Sequence, residues 1–237
     1  MLIDSHCHLN FPDLAGRIDE VKDSMRDKGV ERAVVISVNV PDYPAVKALA
    51  LAHEEFWATV GVHPDVEDGP DMDEDFLVAE AAHPKIIGIG ETGLDYHWCK
   101  GDLEWQRERF RRHIRAARRA GVPLVIHTRE AADDTLAVMR EAGADAAGGV
   151  MHCFTENWDV ARAALDLGFY LSFSGILTFK NARQVQEVAA RAPLDRRSWD
   201  VMVVEDLSLP CVPAFGEMLI FFTLKFCQES KSYAQVN

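Results

Sequence analysis

The 237-residue chain carries 38 acidic against 25 basic residues, and its net charge of -13 argues against broad adhesion to nucleic acid, which needs Lys and Arg to neutralise phosphates. A phosphate substrate whose charge is met locally by bound cations is compatible with that balance. With 48% apolar and 27% charged residues, no apolar run of the ~18 to 20 residues that cross a bilayer and no basic-then-apolar start, the chain reads as one globular domain over residues 1–237. A cytoplasmic location is the expectation, with no membrane contact and no obligate protein partner. The five cysteines lack close pairing and read as reduced thiols.

Short Val- and Ile-rich runs alternate with segments of helical apolar spacing, the pattern of βα units. The first strand is expected over Leu2 to Cys7, where alternation puts His6 and His8 on one face and Cys7 on the other, so two imidazoles converge. Further strands are expected at Ala33 to Val38, Trp57 to Val62, Lys85 to Gly90, Pro123 to His127, Gly149 to Cys153, Phe169 to Phe173 and Val201 to Glu205. Helices are expected at Arg17 to Lys28, Tyr43 to His53, Glu74 to Ala82, Leu103 to Ala120, Ala131 to Ala142, Trp158 to Leu167 and Ala182 to Ala192, with Gly29, Gly121, Gly143 and Gly168 as stops. Eight such units fit an α/β fold of the (β/α)8 TIM-barrel type. An open doubly wound sheet explains less well why His6, His8, His63, Glu91, His127 and His152 all fall at C-terminal strand ends, where barrels carry their sites. After Arg196 the pattern degrades: the eighth unit is expected to be irregular, and the tail over 197–237 contains the apolar run Met218 to Phe222 without a polar face.

Glu91 ends a strand that is otherwise apolar or Gly, so its carboxylate needs a cation or close hydrogen-bond partners. With His6 and His8 on one side and His127 and His152 on the other, it is placed to bridge two divalent cations, an arrangement that recurs in phosphate-ester hydrolysis at separations of ~3.5 to 4 Å. His-and-carboxylate donors accept Mg, Mn or Zn. The same stretch, Gly88-Ile-Gly-Glu-Thr-Gly93, satisfies a dinucleotide fingerprint, but that motif opens into a helix, whereas Leu94 to Gly101 reads as loop. His63 and Arg129 lie at the same mouth, and Arg129 offers a fork of donors to a phosphate oxygen, or else pairs with Glu130 or Asp95. Seven arginines between Arg107 and Arg119 read as a solvated helix face opposite an inner stripe of Gln106, Phe110, Ile114 and Ala117. His53, His83 and His113 are given no role.

The stretches Asp4-Ser-His-Cys-His-Leu-Asn10, Val60-Gly-Val-His-Pro64, Ile87-Gly-Ile-Gly-Glu-Thr-Gly-Leu-Asp-Tyr96, Val125-Ile-His-Thr-Arg-Glu130, Met151-His-Cys-Phe-Thr155 and Phe173-Ser-Gly-Ile176 together resemble the TatD-type metal-dependent deoxyribonucleases of the amidohydrolase superfamily. The likeness covers residues 1 to about 196 and implies a (β/α)8 barrel with two divalent metals, His6, His8 and Glu91 holding one and Glu91, His127 and His152 the other. It implies cleavage of phosphodiester bonds, typically in DNA, with His63 and Arg129 on the phosphate. The family's eighth strand ends in a Glu-Thr-Asp pattern whose Asp completes the first metal site and orients the attacking water. Here ungapped continuation sets Asp200 and Met202 against that Glu and Asp, whereas anchoring on Glu205 sets Leu207 against the Asp. Asp206 is the nearby candidate for the catalytic carboxylate and stands one residue out of register, which along a strand turns it to the wrong face. The chain is therefore expected to be a weak nuclease. Two rivals stand beside this reading: a hydrolase of carboxylic esters, amides or lactones on the same barrel, and a non-catalytic homologue that keeps the metals.

Overall fold

The structure is a computed structural model that describes residues 2–199. One eight-stranded parallel sheet runs in sequence order: β1 (Leu2–Cys7), β2 (Val30–Val35), β3 (Phe56–Val60), β4 (Ile86–Asp95), β5 (Leu124–Arg129), β6 (Gly149–Met151), β7 (Tyr170–Phe173) and β8 (Arg197–Trp199). Helices α1 (Pro12–Ala15), α2 (Ile18–Asp27), α3 (Tyr43–Ala52), α4 (Glu74–Ala81), α5 (Glu104–Ala120), α6 (Ala132–Ala142), α7 (Trp158–Asp166) and α8 (Arg183–Arg191) fill the connections. Since β8 lies against β1 as well as β7, the sheet curls into a nearly closed (β/α)8 barrel. Parallel strands joined by helical crossovers bury both faces of much of the sheet, which is why strands such as β3 and β5 are largely apolar rather than alternating.

Between helices and sheet lies a continuous core that includes Val35, Val60, Ile89 and Ile126 from strands and Val46, Leu77, Phe110, Ile114 and Met139 from helices. Each large apolar side chain held there contributes about 1.5–3 kcal/mol. The four expected stops, Gly29, Gly121, Gly143 and Gly168, all lie at positive φ. At Gly121 the left-handed cap returns its N–H to Ala117 O at 2.9 Å and closes α5.

The arginine-rich α5 is more deeply engaged than a solvated face. Arg107 pairs with Asp134 on α6 at 3.1 Å, Arg115 and Arg119 with Glu74 on α4 at 3.0 and 2.7 Å, and Arg111 with Glu104 on α5 itself at 2.7 Å. Arg107, Arg115 and Arg119 thus tie α5 to α6 and α4. Among the described residues Cys7, Cys99 and Cys153 are free thiols, and no helix is long and apolar enough to cross a membrane.

Three boundaries differ from expectation in ways that bear on the site. β4 runs on to Asp95, so Leu94 and Asp95 are strand rather than loop. β3 ends at Val60, which leaves His63 in the following loop. β8 begins at Arg197, with Trp199 registered against Phe173 of β7, ahead of the expected Val201 to Glu205. The segment Val201 to Glu205, the candidate Asp206 and the apolar run Met218 to Phe222 lie outside the described residues.

Candidate metal centre

Glu91 sits at the C-terminal mouth of the barrel, 4% exposed, with its N–H bonded to Ser37 O at 2.9 Å. Three strands crowd together beneath it. A Cβ on Gly61 would lie 2.7 Å from the Gly90 backbone, and one on Gly90, at φ 152, would lie 2.5 Å from Val125 O. The glycines of the Gly88 to Gly93 stretch thus serve close approach between β3, β4 and β5 rather than a phosphate loop.

Around the carboxylate the strand ends deliver five imidazoles. His6 and His8 converge as alternation requires, their Nε2 atoms 3.3 Å apart, and His6 Nε2 stands 3.3 Å from Glu91 Oε2. On the other oxygen, Glu91 Oε1, converge His127 Nδ1 at 3.4 Å, His63 Nε2 at 3.5 Å and His152 Nε2 at 3.6 Å. The His152 ring stacks on His6 with centroids 3.5 Å apart, so the two halves of the cluster touch.

The electrostatics suit a cation. Burial, reinforced by the neighbouring His6, drives His8 down to about 3, so it is a neutral lone-pair donor at ordinary pH. Burial alone would raise Glu91, yet His152, His63 and His6 outweigh it and hold the carboxyl well below the usual range. Burial also opposes charge on His63, but Glu91 and Asp65, the latter 2.6 Å from His63 Nδ1, lift it to about 10. The donor set fits divalent metal: imidazole nitrogens and a fully ionised carboxylate within 4.8 Å of one another, as His6, His8 and Glu91 in one group and His63, Glu91 and His127 in another. His63 lies with Glu91 and His127 in the second group, and His152 faces the same oxygen at nearly the same distance.

Arg129 ends β5 two residues after His127, on the same face of the strand. Neither rival partner holds it: Glu130 bonds His97 Nδ1 at 2.7 Å, Asp95 bonds His127, and among the described residues Arg129 makes no ion pair. Its guanidinium instead lies 5.4 Å over the ring of Trp98, which is 51% exposed at the mouth.

Sequence reasoning missed Asp95 as a site residue. It is fully buried and its Oδ2 lies 2.9 Å from His127 Nε2. Burial raises its pKa and the bonds from His127, Trp98 and His97 more than reverse the rise. The signal was the two-residue parity of a strand, which places Glu91, Gly93 and Asp95 on one face once the strand is allowed to continue.

Residues 3–197 match the TatD related DNase family. The chain is 39% identical over 197 residues to YabD, an uncharacterized metal-dependent hydrolase of Bacillus subtilis, across 83% of this chain and 77% of that one. It is 39% identical over 198 residues to YcfH of Escherichia coli K12, also an uncharacterized metal-dependent hydrolase, across 82% and 74% of the two chains. The crystal structure of YjjV, a TatD homologue of Escherichia coli K12, superposes with a TM-score of 0.76 at 26% identity, across 84% of this chain and 78% of the other. With nearly every described residue inside the family match and a His and Glu cluster at the mouth of the shared barrel, the chain belongs to the TatD family of metal-dependent hydrolases.

Proposed function

We propose that this hydrolase cleaves phosphodiester bonds, with DNA as the substrate, using two divalent cations of the Mg, Mn or Zn type. The observation that carries the reading is the division of Glu91 between its two oxygens, Oε2 toward His6, whose Nε2 lies 3.3 Å from that of His8, and Oε1 toward His127, His152 and His63. One carboxylate divided in this way suits a bridged metal pair, in which His6, His8 and Glu91 would hold one ion and Glu91, His127 and His152 the other. Such a pair, when bound, lowers the pKa of a water and offsets the charge that builds on the phosphoryl oxygens. The chain's own residues do the rest. The apolar packing under Glu91 keeps bulk water from competing for the carboxylate, and neutral His8 keeps its lone pair available. Arg129, without a carboxylate partner among the described residues and stacked over Trp98, would present its fork of donors toward a non-bridging phosphate oxygen, with His63 beside it. Asp206, outside the described residues and one residue out of the family's register, is the candidate for the carboxylate that would accept the proton of the attacking water.

The test is turnover of a DNA strand beside a panel of carboxylic esters, amides and lactones, with Mg, Mn and Zn compared and a chelator as control. DNA cleavage that stops on chelation and returns with metal is the expected result, with Asp206→Asn lowering it. Turnover of carboxylic substrates alone assigns the first rival. Metal retained with no turnover of any substrate assigns the non-catalytic one.

A further inference from the structure

The β4 terminus carries a carboxylate with every acceptor already addressed. Asp95 Oδ1 accepts the backbone N–H groups of His97 at 2.9 Å and Trp98 at 2.8 Å, while Oδ2 faces His127 Nε2 at 2.9 Å. Its main chain is fixed as tightly: Gln106 Oε1 accepts the Asp95 N–H at 2.8 Å, and Gln106 Nε2 donates to Asp95 O at 3.2 Å and to Pro64 O at 2.9 Å. The buried Gln106 reaches across from α5, so the carboxylate is held by groups with no rotational freedom of their own. An ionised carboxylate is acceptor only, so the short contact to His127 is a hydrogen bond only if the imidazole carries its proton on Nε2. The Nδ1 lone pair then points toward Glu91 Oε1, 3.4 Å away.

We infer that Asp95 is a positioning residue: it commits His127 to the tautomer and ring orientation in which Nδ1 serves the cation beside Glu91. The same carboxylate anchors the turn that carries Trp98, the ring on which Arg129 rests, so one buried group sets the metal side and the phosphate side of the mouth together. The other backed imidazole offers a contrast inside the same site. His63 is held through Nδ1 by Asp65 at 2.6 Å, but the Asp65 side chain is 42% exposed and competes with water for that bond. Carboxylates behind a ligating imidazole commonly account for about 10 to 100-fold in metal affinity, and the buried Asp95 should stand at the upper end of that range and the exposed Asp65 at the lower.

The inference rests on reading the site as a divalent-cation centre, and its test needs no substrate, so a failure of the nuclease reading leaves it standing. Zinc titration of the chelator-stripped chain should show Asp95→Asn weakening the second of two binding events by about 10 to 100-fold, with Asp95→Glu restoring part of the loss and Asp65→Asn doing less. Histidine-labelled nitrogen NMR of the zinc-loaded wild-type chain should show His127 protonated at Nε2 and ligating through Nδ1. That spectrum decides the matter even where the variants fold poorly. Ligation through Nε2, or an Asp95→Asn chain that binds both ions as the wild type does, overturns the proposal. A lowered melting temperature with unchanged zinc affinity does so too.

Discussion

The barrel holds two His and Arg pairs built from the same side chains to opposite ends, one on α5 against the loop after β3 and one at the mouth on β5. On α5, His113 Nδ1 donates to Arg109 O at 2.9 Å and its Nε2 accepts the Val62 N–H at 3.1 Å, so both nitrogens are spent on backbone and burial lowers its pKa to about 4. Arg109, 5% exposed, is spent likewise: it pairs with Asp71 at 3.2 Å and donates to His63 O at 3.2 Å and Val66 O at 2.7 Å. At the mouth, His127 gives one nitrogen to Asp95 and turns the other to a carboxylate it shares with four more imidazoles, and Arg129 keeps its donors. Saturated polar groups hold a loop. Unsaturated ones, kept apart by a rigid strand, leave donors and lone pairs open to a ligand.

That contrast breaks if substitutions on the two sides act alike. Arg109→Ala leaves Asp71 its second partner, Arg112 at 3.0 Å, but strips the donors from the carbonyls of His63 and Val66. Both belong to half-buried residues, and each carbonyl so orphaned costs about 1–3 kcal/mol, so the melting curve should record a loss of about 2–6 kcal/mol. Arg129→Ala should leave stability within about 0.5 kcal/mol of the parent. Its kcat/KM on DNA should nevertheless fall about tenfold to a hundredfold, the equivalent of a charge-assisted hydrogen bond to phosphate. An Arg129→Ala chain that melts early and turns over normally would reverse the assignment.

A pH dependence sharpens the same comparison. His113 has a folded pKa of about 4 against an ordinary value of 6.5, so between those two values the unfolded chain binds the extra proton and the folded one does not. Its contribution is complete above pH 6.5 and is lost as the pH falls toward 4, at up to about 1.4 kcal/mol per pH unit. Urea unfolding across that range should show the slope, and His113→Gln, which keeps an acceptor for the Val62 N–H, should lose this portion of it.

Much of the site was legible because the rules that expose it are local. His6 and His8 announce themselves by parity on a short strand, and Glu91 by being charged where its neighbours are apolar or Gly. Asp95 was hidden by the composition that makes its strand work: Gly90, Thr92 and Gly93 erase the hydropathy signal of β4 just where close approach to β3 and β5 demands small residues. Helix α1 has four residues, too few for periodicity to register, and Pro12 at its first turn was the available cue. The eighth strand was expected at Val201 to Glu205, outside the described residues, whereas the described part of β8 already begins at Arg197 and covers Ser198 and Trp199. Register against β7, not hydropathy, fixes that strand, and register is a long-range property that a single sequence does not display.

The central claim, that Glu91 is the shared ligand of two metal ions, is tested most directly by counting metal bound to the purified chain and to Glu91→Gln, which keeps the shape and removes the charge. Two equivalents per wild-type chain and at most one, weakly held, in a folded Glu91→Gln chain are the predicted result. Two equivalents in both proteins would contradict it.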